Sequence, residues 1–231
     1  MTIRALLGTK HDVLEQTYVA LAMLVVTFLY EGITAYAIPG FTFNIYEAVG
    51  TWTGLVCVWL SRTRNILCWP WGIVSALSLG FFFSQIGLPG QQWLNWVYFM
   101  IIQLWAWPHW AFGGADKTEL PVTELSWKGK VLTVLAILAG TALVYYAIGY
   151  FAPGSFHPLL DALVVASSVV AQYLLGKKKV ESWILWLGPV NLVSIVLFAM
   201  AGAYTVAALY LAFFIHAIFA LGAWTKAKSH V

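Results

Sequence analysis

Along this chain apolar residues run in long blocks, and polar residues gather between them. Eight blocks occupy residues 18–38, 45–60, 67–86, 93–112, 130–150, 157–175, 183–201 and 203–225. Each is close to the length of helix that crosses the hydrocarbon core of a bilayer. The gaps carry helix breakers: Pro39-Gly40, the polar corner at 62–65, Gly87-Leu88-Pro89-Gly90, the polar stretch 113–129, Pro153-Gly154-Ser155, the basic corner at 177–181, and Ala201-Gly202-Ala203. The pattern predicts an all-α integral membrane protein with eight transmembrane helices.

Charge sharpens this picture. Arg4 and Lys10 precede the first block, and Arg62 and Arg64 follow the second. Lys117, Lys128 and Lys130 follow the fourth, Lys177, Lys178 and Lys179 the sixth, and Lys226 and Lys228 the last. These are all twelve basic residues, and eight crossings place every one on the same side. Seven or nine crossings scatter them. The side that collects Lys and Arg is cytoplasmic, so both termini are expected inside. No separable signal peptide is expected, because the run after Gln16 is too long for one.

Composition excludes several classes. The chain is 61% hydrophobic and 9% charged, whereas a soluble domain carries about 25% charged residues. A net charge of +3, spread over short connections, does not point to nucleic acid. Cys57 and Cys68 form no CxxC and no cluster with His, so neither a disulfide nor a metal site is expected. Haem normally takes paired axial ligands, and His216 is the lone His well inside a block. Hydrolase and phosphate-loop motifs are missing. An enzyme, redox or hydrolytic, is therefore the weaker alternative, and no cofactor is expected.

The chain also repeats itself. A shift of 115 residues superposes Arg64 on Lys179, Trp71 on Trp186, Phe83 on Phe198 and Gly87 on Gly202. A shift of 114 superposes Glu47 on Asp161 and Trp110 on Trp224. Blocks two to four thus recur as six to eight with the fifth as linker, a 3+1+3 core with a parallel repeat. The first block stands outside it. The expected divisions are 1–44 (tail and extra helix), 45–112 (first repeat), 113–156 (cytoplasmic loop and linker helix), 157–225 (second repeat) and 226–231 (cytoplasmic tail).

Candidate chemistry centres on residues 183–194. At 100° per residue Trp183, Trp186, Val190, Asn191 and Ser194 fall within roughly 140° of arc. Flat rings beside amide and hydroxyl groups are costly against lipid, so this face is expected to line a cavity. Such a cavity suits a flat, polar, weakly charged small molecule, and the reading is a membrane transporter. Other polar positions at helical spacing are Trp71, Ser75, Ser78 and Gln85; Asn95 and Tyr98, with Gln103; Asp161, Ser168 and Gln172; and Tyr210. The bland alternative for each amide is a bond between helices. Trp105, Trp107, Trp110, Trp127 and Trp224, at block ends, are expected to be interfacial anchors. Glu47 and Asp161 lie toward the outer face and form a candidate acidic mouth. With no charge at the membrane centre, a facilitator without its own energy source is expected.

Asn65-x3-Trp69-Pro-Trp-Gly, the Trp-rich segment 93–110, Trp183-Ile-Leu-Trp186 with Asn191, Gly202-Ala-Tyr204 and Leu209-Tyr210 together resemble the PnuC family of bacterial vitamin transporters. The resemblance covers about residues 45–225. It implies an architecture like that of full-length SWEET facilitators, a homotrimer, and facilitated diffusion of nicotinamide riboside across the bacterial inner membrane. Cytoplasmic phosphorylation by a riboside kinase then drives net uptake. Relatives carry thiamine, riboflavin or deoxynucleosides, and thiamine remains an alternative cargo. On this resemblance Trp183 and Trp186 stack on the nicotinamide ring, and Asn191 binds its carboxamide. Gln85, Asn95, Tyr98, Gln103, Gln172 and Tyr210 take the ribose hydroxyls.

Overall fold

The computed structural model describes residues 6–37, 43–85, 92–151, 153–154, 157–200 and 204–228, without the side chains of 83, 198, 204–206, 208 and 209. Among the described residues eight longer helices follow in order, with a short 3-10 turn at Ala115–Lys117 between the fourth and the fifth. The first three are α1 (Lys10–Ala37), α2 (Ile45–Thr63) and α3 (Cys68–Gln85). Next comes α4, a π-helical turn at Leu94–Phe99 that continues as Met100–Phe112. Then follow α5 (Trp127–Phe151) and α6 (Pro158–Gly176). α7 joins Glu181–Leu185, a π-helical stretch at Trp186–Leu192, and Val193–Met200, and α8 is Tyr204–Ala227. α1, α5, α6 and the Tyr210–Ala227 part of α8 are each long and apolar enough to cross a membrane. Leu21, Val25, Phe28 and Ile33 on α1, and Leu132, Leu135, Leu138 and Leu143 on α5, are exposed. An apolar face of that extent suits lipid and is a liability in water.

The helix boundaries follow the hydropathy blocks, with one correction. α1 begins at Lys10, not at 18. Thr9 and Asp12 form a reciprocal cap: Asp12 Oδ2 accepts from Thr9 N at 2.6 Å, and Asp12 N donates to Thr9 Oγ1 at 3.2 Å. That cap starts the helix in polar sequence, before any apolar run signals it.

The chain divides into two compact units, Met1–Leu120 and Pro121–Val231. The first holds α1 to α4. There α2 and α3 approach closely because Gly50 and Gly54 sit four apart on one face. A Cβ on Gly50 would lie 2.6 Å from Leu79 Cγ, and Ser75 Oγ donates to Gly50 O at 2.8 Å. The α2–α3 corner is knotted by Asn65, which is buried. Its Oδ1 accepts from Leu67 N at 3.0 Å, and its Nδ2 donates to Asp12 O at 2.9 Å and Glu15 Oε2 at 3.0 Å. Asn65→Ala removes all three bonds. It is expected to lower stability by about 1–3 kcal/mol, read as an earlier thermal unfolding midpoint in detergent.

The second unit holds α5 to α8; α5 packs on α6, and its Ile137 and Thr141 are buried. Its α6–α7 corner has the same hydrogen bonds as the α2–α3 corner. In the first, Arg64 is left-handed at φ 64°, and Arg64 N, Asn65 N, Cys68 N and Trp69 N donate to Ser61, Leu60, Asn65 and Ile66 carbonyls. In the second, Lys178 is left-handed at φ 48°, and Lys178 N, Lys179 N, Ser182 N and Trp183 N donate to Leu175, Leu174, Lys179 and Val180 carbonyls. Every member of the second set lies 114 positions after its counterpart. Each corner tryptophan then meets another edge-on: Trp69 and Trp110 at 4.9 Å, Trp183 and Trp224 at 5.7 Å. Trp110 and Trp224 are buried, which corrects the anchoring role expected of them at the interface.

The same spacing reaches α1. Leu21, Ala22, Leu24, Thr27, Leu29, Tyr36 and Pro39-Gly40 recur as Leu135, Ala136, Leu138, Thr141, Leu143, Tyr150 and Pro153-Gly154. Thr27 and Thr141 are both buried. The π-helical segments account for the two shifts in the sequence. A π turn accommodates an extra residue within a helix. The one in α7 follows the corner, and beyond it the spacing becomes 115, as in Phe83 and Phe198. The one in α4 restores 114, as in Ala106 and Ala220 or Trp110 and Trp224.

Candidate substrate-binding site

In the second unit the polar residues gather around the π-helical part of α7. Pro189 lies inside it. Proline has no N–H to give to the carbonyl four residues back, and its ring crowds that carbonyl, so widening the turn relieves both faults. Asn191 is 3% exposed within this turn, beside buried Val190, and Ser194 is buried in the next. The Tyr210 hydroxyl lies against Ser194 and within electrostatic reach of Asp161 on α6. Gln172 and Ser168 are buried on α6.

The turn also changes the face drawn at 100° per residue. Trp183 precedes it and Asn191 lies within it, so uniform helical phase does not relate the two. Trp183 is packed in the corner, 3% exposed, between Trp224 and the His216 ring at 6.1 Å. Trp186, at the start of the turn, is half-buried and keeps more accessible surface.

In the first unit Asn95 is buried in the π-helical turn that opens α4, Tyr98 is half-buried in the same turn, and Gln103 is buried further along the helix. Two predicted residues are engaged elsewhere. Trp71 Nε1 donates to Gln16 Oε1 of α1 at 3.0 Å, and Gln85 Oε1 accepts from Asn44 Nδ2 at 2.8 Å. Asn44 in turn caps α2, accepting from Tyr46 N and Glu47 N. Glu47 is half-buried and within electrostatic reach of Glu31 and Tyr30 on α1. His11, Asp12 and Glu15 come within 4.8 Å of one another. Asp12 caps α1 and Glu15 holds Asn65, so the α2–α3 corner accounts for their closeness.

Sequence reasoning passed over both π-helical segments and the Gly50/Gly54 pair. The glycine spacing was readable as a helix-packing motif. The π turns had left one trace, the split between shifts of 114 and 115.

Helices with exposed apolar faces and buried amides define a multi-pass membrane protein. The sequence pattern of the family described as Nicotinamide mononucleotide transporter matches residues 44–226, and the chain belongs to that family, the PnuC transporters. It is 28% identical over 197 residues to the Nicotinamide riboside transporter PnuC of Escherichia coli (strain K12), covering 74% of this chain and 81% of that protein. It is also 28% identical over 146 residues to the Riboflavin/roseoflavin transporter RibM of Streptomyces davaonensis, covering 61% and 66%. In fold it matches the crystal structure of the Vitamin B3 transporter PnuC with a TM-score of 0.68 at 22% identity, over 95% of this chain and 92% of that one. These relatives are transporters, not enzymes.

Proposed function

We propose that this protein carries nicotinamide riboside, unphosphorylated, by facilitated diffusion across the bacterial inner membrane, with both termini cytoplasmic. One observation carries the choice of riboside over mononucleotide. Among the described residues every Lys and Arg lies in the first or last turn of a helix or in a connection. A phosphate brings about two negative charges, and no basic side chain within a helix interior is there to meet them. The buried groups are instead amides, hydroxyls and rings, which match a ribose and a carboxamide. Trp186 stacks on the cationic ring and Asn191 bonds the carboxamide. Gln172, Tyr210, Asn95, Tyr98 and Gln103 serve the sugar. Trp183 acts through packing, holding the corner from which α7 starts. Glu47 and Asp161 attract the cation at the outer mouth. The 3+1+3 core is extended by α1, which stands to α2–α4 as α5 stands to α6–α8.

Net import on this reading needs a cytoplasmic riboside kinase, and a homotrimer is the proposed assembly. Proteoliposomes test it. Labelled riboside is expected to equilibrate without an ion gradient and to accumulate only when kinase and ATP are enclosed, while mononucleotide stays outside. Accumulation against a gradient that an ionophore abolishes would overturn the facilitator. Thiamine as the better competitor would change the cargo.

A further inference from the structure

α5 and α6 are joined by a short connection and pack antiparallel along one seam. A Cβ on Gly140 would lie 3.2 Å from Ala166 Cβ, so the two helices come close there. At 100° per residue Thr133 and Gly129 lie within about 20° of Gly140 on α5, and Tyr173 and Lys177 within about 20° of Ala166 on α6. Gly129 stands eleven residues before Gly140 and Lys177 eleven after Ala166, so they reach one level, roughly 16 Å from the contact. Glycine opposite lysine leaves the seam open at that end. Tyr173 faces α5 and is still 42% exposed, and Lys177 Nζ lies 5.1 Å from the centroid of its ring. That contact holds the ammonium at the mouth of the seam.

The basic residues at this end divide into two sets. Lys130 lies on the flank of α5 that carries buried Ile137, and it pairs with Glu181 at 3.3 Å. Lys228 pairs with Glu124 at 2.7 Å. Lys128 lies on the opposite flank of α5 with Leu132 and Leu135, and all three are exposed. Among the described residues no carboxylate comes within ion-pair distance of Lys128 or Lys177. Trp127, the first residue of α5, is 78% exposed, as suits a ring at the headgroup level of a bilayer.

We propose that the open end of the α5–α6 seam binds the headgroup of an anionic phospholipid. Lys128 and Lys177 pair with the phosphate, Tyr173 packs against the glycerol, and an acyl chain runs along Leu132 and Leu135. Charge complementarity selects the phosphate, because two ammoniums stand at the end of a membrane span with no acid of their own. The apolar wall starts one turn from Lys128 and selects a lipid, since a free phosphate has no chain to lay on it. A lipid held there clasps α5 to α6 where Gly129 leaves them unpacked.

Native mass spectrometry of the purified full chain counts bound lipid when dioleoyl phosphatidylglycerol or phosphatidylcholine is added in detergent, and thermal unfolding is followed in parallel. Wild type is expected to prefer phosphatidylglycerol by about tenfold or more, as two basic residues at an anionic surface provide, and to unfold later in its presence. Lys128→Ala with Lys177→Ala is expected to lose both effects, and Lys128→Arg with Lys177→Arg to keep them. Lys226→Ala removes an exposed lysine at the end of α8 and is expected to change neither. A preference that survives in the double alanine variant overturns the proposal. An equal loss in Lys226→Ala overturns it too, since it marks diffuse attraction to the whole basic surface. Inorganic phosphate that stabilises wild type as well as phosphatidylglycerol does marks a free-anion site and overturns the lipid. A second copy of the chain on the seam would show by light scattering as a smaller assembly in the double alanine variant, whatever lipid is present, and that result also overturns the proposal.

Discussion

Asn191→Ala is expected to weaken nicotinamide riboside binding roughly ten- to hundredfold. The side chain is 3% exposed in the π-helical part of α7, with Val190 and Ser194 buried beside it. On the proposed reading truncation leaves the carboxamide of the cargo unpaired, at about 1–3 kcal/mol, and each 1.4 kcal/mol is about tenfold in Kd. Calorimetry on purified protein reads the Kd, and thermal unfolding confirms that the variant is folded. Wild-type affinity in a folded Asn191→Ala protein removes α7 from the site.

The largest stability effect is expected at the corners. Trp69 is 1% exposed against Trp110, and Trp183 is 3% exposed against Trp224. Cutting a buried tryptophan to alanine leaves a cavity and costs about 3–5 kcal/mol. Trp69→Ala and Trp183→Ala should therefore lower the unfolding midpoint by similar amounts, since the two rings occupy the same place in corners with the same hydrogen bonds. Trp183→Phe keeps much of the packing. It is expected to leave riboside affinity within about twofold, because the proposed site gives the stacking to Trp186. A tenfold loss in Trp183→Phe at unchanged stability would return Trp183 to the binding face.

These two expectations divide what a reader of the residues could foresee from what only coordinates supplied. The helices were legible because lipid demands long apolar runs and the breakers between them are chemically distinct. The start of α1 was not, since its first turns are polar and owe their helicity to the Thr9–Asp12 cap and to bonds with Asn65. Asn95 and Asn191 stood out as amides in apolar surroundings, and both are buried. Hydropathy carries no mark of a π turn, so the phase of the face they share with their neighbours was not readable. The bonds of Trp71 and Gln85 were unreadable because their partners, Gln16 and Asn44, are distant in sequence. The packing of Trp183 was unreadable for the same reason, as Trp224 and His216 arrive from another helix.

The extra residue of each π turn breaks the internal symmetry of the chain. It falls in the third helix of one unit and in the fourth helix of the other. Two otherwise matching copies therefore set different residues on the same helix face beyond their π turns. A duplication without that offset would keep one spacing from end to end.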